Sequence, residues 1–161
     1  PLHSTGIAQT LSGIEKLTSI LEQSWKKPRM LTESLDNYER TVQSEIQMID
    51  LLVSGCYSTM HDFRLFAAFS MLYFAAATTY EHRRLNGNLE QSFLCADDIN
   101  WSRIVRSLSR RATRLVDPAS ISDATIAEFE HEVAEAIKPF NTVGLCDPSA
   151  RNRYRFTALP T

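Results

Sequence analysis

The stretch from Leu65 to Tyr80, LFAAFSMLYFAAATTY, is the most apolar part of the chain and the strongest indication of its fold. It carries no charged residue over 16 positions, whereas a helix that spans a membrane needs about 20 predominantly apolar residues. Charged residues stand close on both sides, with Arg64 before it and Glu81 after it. The pattern therefore predicts the central helix of a bundle, buried on all sides, rather than a membrane segment.

Two long amphipathic helices are predicted before this central segment. The first runs from about Gly6 to Trp25 and takes Ser4 or Thr5 as its cap. Its apolar stripe consists of Ile7, Leu11, Ile14, Leu17 and Leu21. The second runs from about residue 31 to residue 54 and is expected to end at Gly55. Its predicted buried face consists of Leu35, Tyr38, Val42, Ile46, Ile49 and either Leu52 or Val53.

Two shorter helices are predicted after the central one, over about Ile99–Leu115 and about Asp123–Ile137. Their candidate caps are Asp97 or Asp98 for the first and Ser120 or Ser122 for the second. The inward-facing residues of the first are Trp101, Ile104, Val105, Leu108, Ala112 and Leu115. Those of the second are Ile126, Phe129, Val133 and Ile137.

These patterns define the expected organisation of the chain. Residues 139–161 show no period and are predicted to form an irregular tail packed across another surface. The expected fold class is all-α, with one helical domain over residues 1–138 built from about five helices in a bundle-like arrangement.

The composition excludes several classes of function. A net charge of −2 gives no general attraction to nucleic acid or to an anionic membrane. Three cysteines without a CxxC pair indicate neither a disulfide framework nor a zinc site, so buried apolar roles are expected for them in a reducing cytoplasm. No metal site is predicted, because His61, His82 and His131 stand apart from other residues of ligand type.

The first eight residues, PLHSTGIA, have the pattern of a turn that enters a helix. The first amides of a helix have no partner within it and attract anions. The hydroxyls of Ser4 and Thr5, together with Gly6, which lets another group approach the backbone, suit a phosphate, a reduced-flavin pyrimidine or a halide. The same residues are also typical of an ordinary helix cap.

This opening segment resembles the second flavin-contacting motif of flavin-dependent halogenases and related monooxygenases. Residues 65–77 resemble the central helix of that family's carboxyl-terminal region. The segments PFNTVGL at 139–145 and DPSARNRY at 147–154 resemble its closing segment. The resemblance implies that the chain is the carboxyl-terminal, helical part of a larger α/β FAD-dependent oxidoreductase and that it opens within the flavin-contacting motif.

The resemblance also implies roles for the opening residues. Those expected to lie against the flavin are Pro1, Ser4, Thr5, Gly6 and Ile7. The amides of Thr5 and Gly6 would hold chloride or bromide where the enzyme halogenates. His3 is a candidate acid or base on the substrate side, and Phe140 and Asn141 are further candidates there; a solvent-facing turn histidine and core packing are the alternatives.

Several parts of the family pattern are absent from these residues, namely the GxGxxG loop, the Trp-x-Trp-x-x-Pro segment and the active-site lysine. They are expected in an N-terminal FAD-binding part of the same protein, together with the catalytic residues. This chain alone is therefore not expected to be active. The further implied partners are a small organic substrate and a flavin reductase.

One alternative function remains open. In it, the chain is a freestanding helical protein-interaction module without catalytic activity, organised by its apolar central helix.

The predicted helix over 99–115 carries a stripe of arginines, formed by Arg103, Arg106, Arg110, Arg111 and Arg114. A basic stripe can bind phosphates, but a solvated face paired with the acidic residues of the last helix is the expected arrangement.

Overall fold

The computed structural model describes residues 4–87, 91–116 and 121–147, which form five α-helices. They are α1 (Thr5–Ser24), α2 (Pro28–Thr59), α3 (Phe63–Leu85), α4 (Ile99–Arg114) and α5 (Asp123–Ile137). Short 3-10 turns lie at Phe93–Cys95 and Lys138–Phe140. The described residues contain no strand, and the prediction of an all-α fold is confirmed.

α3 is the central helix, as its sequence predicts, but it is not buried on all sides, because Phe74 is 38% exposed. Its N-cap Asp62 accepts hydrogen bonds from the amides of Arg64 and Leu65, at 2.9 and 3.0 Å, which satisfies two of the free donors of the first turn. The helix packs against α2, α5 and the Phe93–Cys95 turn, and Phe69 and Leu72 are completely buried. Within the described ranges no helix, α3 included, is long and apolar enough to cross a membrane.

α4 and α5 also agree closely with the prediction. Asp98 caps α4 by accepting from the amides of Asn100 and Trp101, and Ser122 caps α5 by accepting from Thr125. All four inward-facing residues predicted for α5 are buried. In α4 the buried members of the predicted set are Trp101, Val105, Leu108 and Ala112, while Ile104 and Leu115 are half-buried.

α2 differs from the prediction in its length and in its buried face. It begins at Pro28, because a proline in the first turn loses only an amide that has no helical partner. It also continues past Gly55, where a Cβ atom would lie 2.0 Å from Cζ of Phe69, so this glycine marks close contact with α3 rather than a helix end. The buried residues are Glu45, Met48, Leu52, Gly55, Cys56 and Thr59, whereas Ile46, predicted to be buried, is 47% exposed.

α1 shows the largest departure from expectation. An apolar stripe on an amphipathic helix normally faces a core, but here Ile7, Leu11 and Ile14 are 70%, 63% and 56% exposed. The buried residues of α1 are instead small or polar, namely Thr5, Ser12, Gly13 and Ser24. α1 therefore turns the first three residues of its predicted stripe outward, whereas Leu17 and Leu21, the last two, are half-buried.

Candidate functional site

The start of α1 is the first part of the candidate site. Ser4 adopts a left-handed conformation with φ of 50° and makes no side-chain hydrogen bond to the helix, so the prediction that it caps α1 through its hydroxyl is wrong. Thr5 is buried, and among the described residues no atom lies within 4 Å of a Cβ atom built at Gly6. The amides of the first turn are consequently not occupied by a Ser4 hydroxyl, and a ligand can approach the backbone at Gly6.

A buried glutamate fixes α1 to the rest of the molecule. Glu45 of α2 is completely buried, and its Oε1 atom accepts from Lys16 Nζ at 2.5 Å and from the backbone amide of Phe93 at 2.7 Å. Gln9 donates to its other oxygen at 3.5 Å. Because an unpaired buried charge is strongly unfavourable, these donors fix the position of α1 relative to α2 and the Phe93–Cys95 turn.

A second polar contact holds α1 against α3. The hydroxyl of Tyr80 lies 2.9 Å from Oγ of Ser12 and accepts from Nη1 of Arg84 at 3.0 Å. Arg84 also forms an ion pair with Glu15 of α1, at 2.8 Å. Tyr80 is itself buried and packs edge-on against the ring of Phe93. The inner side of α1 is thus bound by directional polar contacts, which determine how the helix is rotated.

That rotation leaves an apolar outer face on α1, formed by Ile7, Leu11 and Ile14. These residues are spaced four and three apart, so they lie on one side of the helix. Ile7 stands one residue after Gly6, and the outer face therefore begins beside the open helix start. The candidate site consists of this helix start and the outer face of α1.

The two candidate substrate-side residues of the tail lie elsewhere in the fold. Phe140 is buried against Trp101, with ring centroids 4.7 Å apart, and its carbonyl accepts from Thr79. Asn141 closes a turn, because its side chain both accepts from the amide of Leu145 and donates to its carbonyl, each at 2.7 Å. Both residues therefore have structural partners on the α3–α4–α5 side. Pro1, expected to lie against the flavin, and His3, a candidate on the substrate side, lie outside the described residues.

The arginine stripe of α4 is paired less than expected. Arg111 contacts Glu128 at 2.8 Å and Glu132 at 2.7 Å. Two further glutamates of α5 form ion pairs away from the arginine stripe. Glu130 pairs with Arg64, and Glu135 pairs with Lys138.

The cysteines and histidines show no sign of catalytic or metal chemistry in the described ranges. Burial raises the pKa of the Cys95 thiol to about 11 and also raises the pKa of Cys56, which keeps both in the unreactive thiol form at neutral pH. Cys146 is exposed, so the prediction of a buried role is wrong for this residue. Residues 4–87, 91–116 and 121–147 contain no group of three or more histidine, cysteine or acidic residues that could hold a metal ion.

Sequence reasoning missed Glu45, the buried residue of α2 that orients the helix carrying the candidate site. One signal was present, because positions 45, 48, 52 and 56 form a helical stripe of their own that includes the apolar Met48 and Leu52. The competing stripe through Val42, Ile46 and Ile49 is more apolar, and it was therefore favoured. Only the positions of Lys16 and of the Phe93 amide show why a carboxylate is tolerated inside.

Comparisons of the chain with protein-family models, with curated proteins and with solved structures gave no match.

Proposed function

We propose that this chain is the helical, carboxyl-terminal part of an FAD-dependent oxidoreductase, a flavin monooxygenase or halogenase-like enzyme that acts in the cytoplasm. The observation that carries the proposal is the outward-facing apolar side of α1, which begins beside an open helix start. A flavin needs both features, because its ring system is largely apolar while its pyrimidine edge becomes anionic on reduction. The resemblance of residues 1–8, 65–77 and 139–154 to that family supports the same assignment.

The buried polar network explains why the apolar residues of the outer face point away from the rest of the described chain. If no polar contact fixed its rotation, α1 would bury Ile7, Leu11 and Ile14, because burial of each such side chain stabilises the fold by about 1.5–3 kcal/mol. The ion pair of Glu45 with Lys16 instead orients the helix with these residues outward. This arrangement suits a second body that covers the outer face, and in the proposal that body is the N-terminal FAD-binding part of the same protein.

The residues at the start of α1 then have defined roles. The amides of Thr5 and Gly6 donate hydrogen bonds to the anionic edge of the flavin, or to chloride or bromide in a halogenating enzyme. Ile7 provides an apolar contact for the ring, and the open space at Gly6 admits it. FAD supplies the redox chemistry when bound, whereas the protein binds, orients and excludes water.

The experiment uses the protein made from its complete reading frame. The proposal predicts that the purified protein is yellow and retains flavin. The substitution Gly6→Val fills the open space beside the helix start and is expected to weaken flavin retention about tenfold, which equals about 1.4 kcal/mol. Thr18→Val, which places the same side chain on an exposed position further along α1, is the control and is expected to leave flavin retention unchanged.

A second measurement separates the reactions. With a flavin reductase, oxygen and an organic substrate, a halogenase forms product only when chloride or bromide is present. Product that carries a hydroxyl group and forms equally without halide assigns a monooxygenase. A colourless protein that binds no flavin would contradict the whole proposal.

The alternative function is a freestanding helical interaction module, and the exposed outer face of α1 favours it to the same extent. The two functions differ in what the complete reading frame encodes. A frame that lacks a strand, glycine-rich loop and helix able to bind a dinucleotide supports the interaction module, and in that case the outer face of α1 binds another protein.

A further inference from the structure

α4 has an unusual charge distribution for an acidic protein. Between Ile99 and Arg114 it contains five arginines and no aspartate or glutamate. Four of them, Arg103, Arg106, Arg110 and Arg114, are exposed and lie three or four residues apart, so they form one row along the helix. Like charges at this spacing repel each other and destabilise a helix by a few tenths of a kcal/mol per pair.

The acidic residues of α5 compensate only part of this charge. Arg111, the fifth arginine, is held by both Glu128 and Glu132. Among the residues that the structure describes, no carboxylate forms an ion pair with the four arginines of the exposed row. The row therefore keeps its full positive charge on the surface of the described part of the chain.

One end of the row opens onto a cleft of about 260 Å³. Its lining residues are Ser107, Arg110, Arg111, Arg114, Leu115 and Glu132. Since one water molecule occupies about 30 Å³ in the liquid, the cleft has room for a phosphate group with several waters. Arg110 and Arg114 are one helical turn apart, and Ser107 lies one turn before Arg110, so all three side chains can reach the same cleft.

We propose that this cleft binds the phosphate group of a phosphorylated small molecule. The guanidinium groups of Arg110 and Arg114 present planar pairs of N–H donors that match phosphate oxygens, and the hydroxyl of Ser107 adds a neutral donor. Arg111 also lines the cleft, but its charge is compensated by Glu128 and Glu132. The site is separate from the start of α1 and does not depend on the function proposed above.

Two features of the cleft favour a small ligand over an extended polyanion. The cleft is short, since its lining includes only the last two arginines of the exposed row, and Glu132 in its wall is paired with Arg111. The whole chain carries a net charge of −2, which gives no general attraction to a nucleic acid. The carboxyl end of α4 adds a partial negative charge of about half a unit, which is smaller than the charge of the two guanidinium groups.

The test measures pyrophosphate binding to the full chain by calorimetry at constant ionic strength. The double variant Arg110→Gln/Arg114→Gln is expected to lose at least tenfold in affinity, because each hydrogen bond between charged groups is worth about that factor. The control, Arg103→Gln/Arg106→Gln, removes the same charge from the same helix outside the cleft and is expected to change affinity by no more than about twofold. Far-UV circular dichroism confirms that both variants are folded.

Three outcomes would overturn the proposal. The first is that the unaltered chain does not bind pyrophosphate. The second is that both double variants weaken pyrophosphate binding equally. The third is that the chain binds vesicles of phosphatidylcholine with phosphatidic acid and needs Arg110 and Arg114 to do so. Equal weakening means that general positive charge attracts the anion without a defined site. Vesicle binding of that kind assigns the phosphate to a lipid headgroup rather than to a soluble molecule.

Discussion

α1 and α4 are both amphipathic helices, yet they use their two sides in opposite ways. α4 buries Trp101, Val105 and Leu108 and exposes four of its five arginines, as expected for a surface helix of a globular protein. α1 buries small and polar residues and exposes Ile7, Leu11 and Ile14. The difference shows that an apolar stripe identifies a helix but does not determine which way the helix faces when a buried charge competes with it.

The buried pair of Glu45 and Lys16 provides the strongest test of this difference. Replacing one partner of a buried ion pair is expected to lower the free energy of unfolding by about 3–5 kcal/mol, because the other charge remains buried and unpaired. Glu45→Leu should therefore be severely destabilised in urea unfolding followed by circular dichroism. The matched control Glu33→Leu alters an exposed residue of the same helix and is expected to change stability by no more than about 0.5 kcal/mol.

The double variant Lys16→Met/Glu45→Leu separates a charge effect from a packing effect. It removes both charges together, and we expect it to recover part of the stability lost by Glu45→Leu alone. If Glu45→Leu were as stable as the control, the network would not be what orients α1.

A matched pair of leucines compares the outer face of α1 with the buried face of α4 directly. Leu108 is 2% exposed and Leu11 is 63% exposed. Leu108→Ala should lower the free energy of unfolding by about 2–5 kcal/mol, because it removes buried methyl groups and leaves a cavity. Leu11→Ala in the same chain should change it by no more than about 0.5 kcal/mol. A large loss from Leu11→Ala, measured by the same urea unfolding, would mean that the outer face is covered within this chain.

The smallest of the three expected changes in stability concerns two helical glycines. A Cβ atom at Gly55 meets the buried ring of Phe69, whereas one at Gly6 meets nothing within 4 Å in the part of the chain that the structure describes. Gly55→Ala is expected to lower the free energy of unfolding by about 1–3 kcal/mol through overpacking. Gly6→Ala should raise it by up to about 1 kcal/mol, since alanine favours the helix. Thermal unfolding is expected to show a lower melting temperature for Gly55→Ala and a higher one for Gly6→Ala. Equal shifts of the melting temperature in the two variants would show that α2 and α3 separate easily at Gly55.

The agreement between sequence and structure is best where one physical signal dominates. α5 was predicted with its bounds and all of its buried residues, because a serine cap, a single apolar stripe and a following proline point to the same helix. α3 extends beyond the charge-free stretch, from Phe63 to Leu85, since its charged last residues reach solvent without interrupting the helix. The predicted buried face of α2 is wrong at Ile46, which is 47% exposed, while Leu52 is buried and the other predicted residues are half-buried. The fully buried residues lie on a neighbouring, less apolar stripe that overlaps the predicted one at Leu52.

The candidate site was predicted in part. The segment Ser4–Ile7 was identified from its residue types, and its place at the start of α1 agrees with the structure. The expected hydroxyl cap was wrong, because Ser4 adopts a left-handed conformation that points no side-chain acceptor at the helix amides. The flavin, halide and substrate assignments stay predictions, and the experiments above address them.

The helical class of this protein and the positions of most of its helices follow from local signals, because caps, prolines and apolar periodicity act over a few neighbouring residues. The central position of α3 also follows from its sequence, since a segment without charge over 16 residues favours burial. Which side of α1 is buried depends on contacts that form only in the folded chain. That choice depends on Glu45 meeting Lys16 across 29 residues and the Phe93 amide across 48, and contacts between such distant positions leave no periodic signal in a sequence.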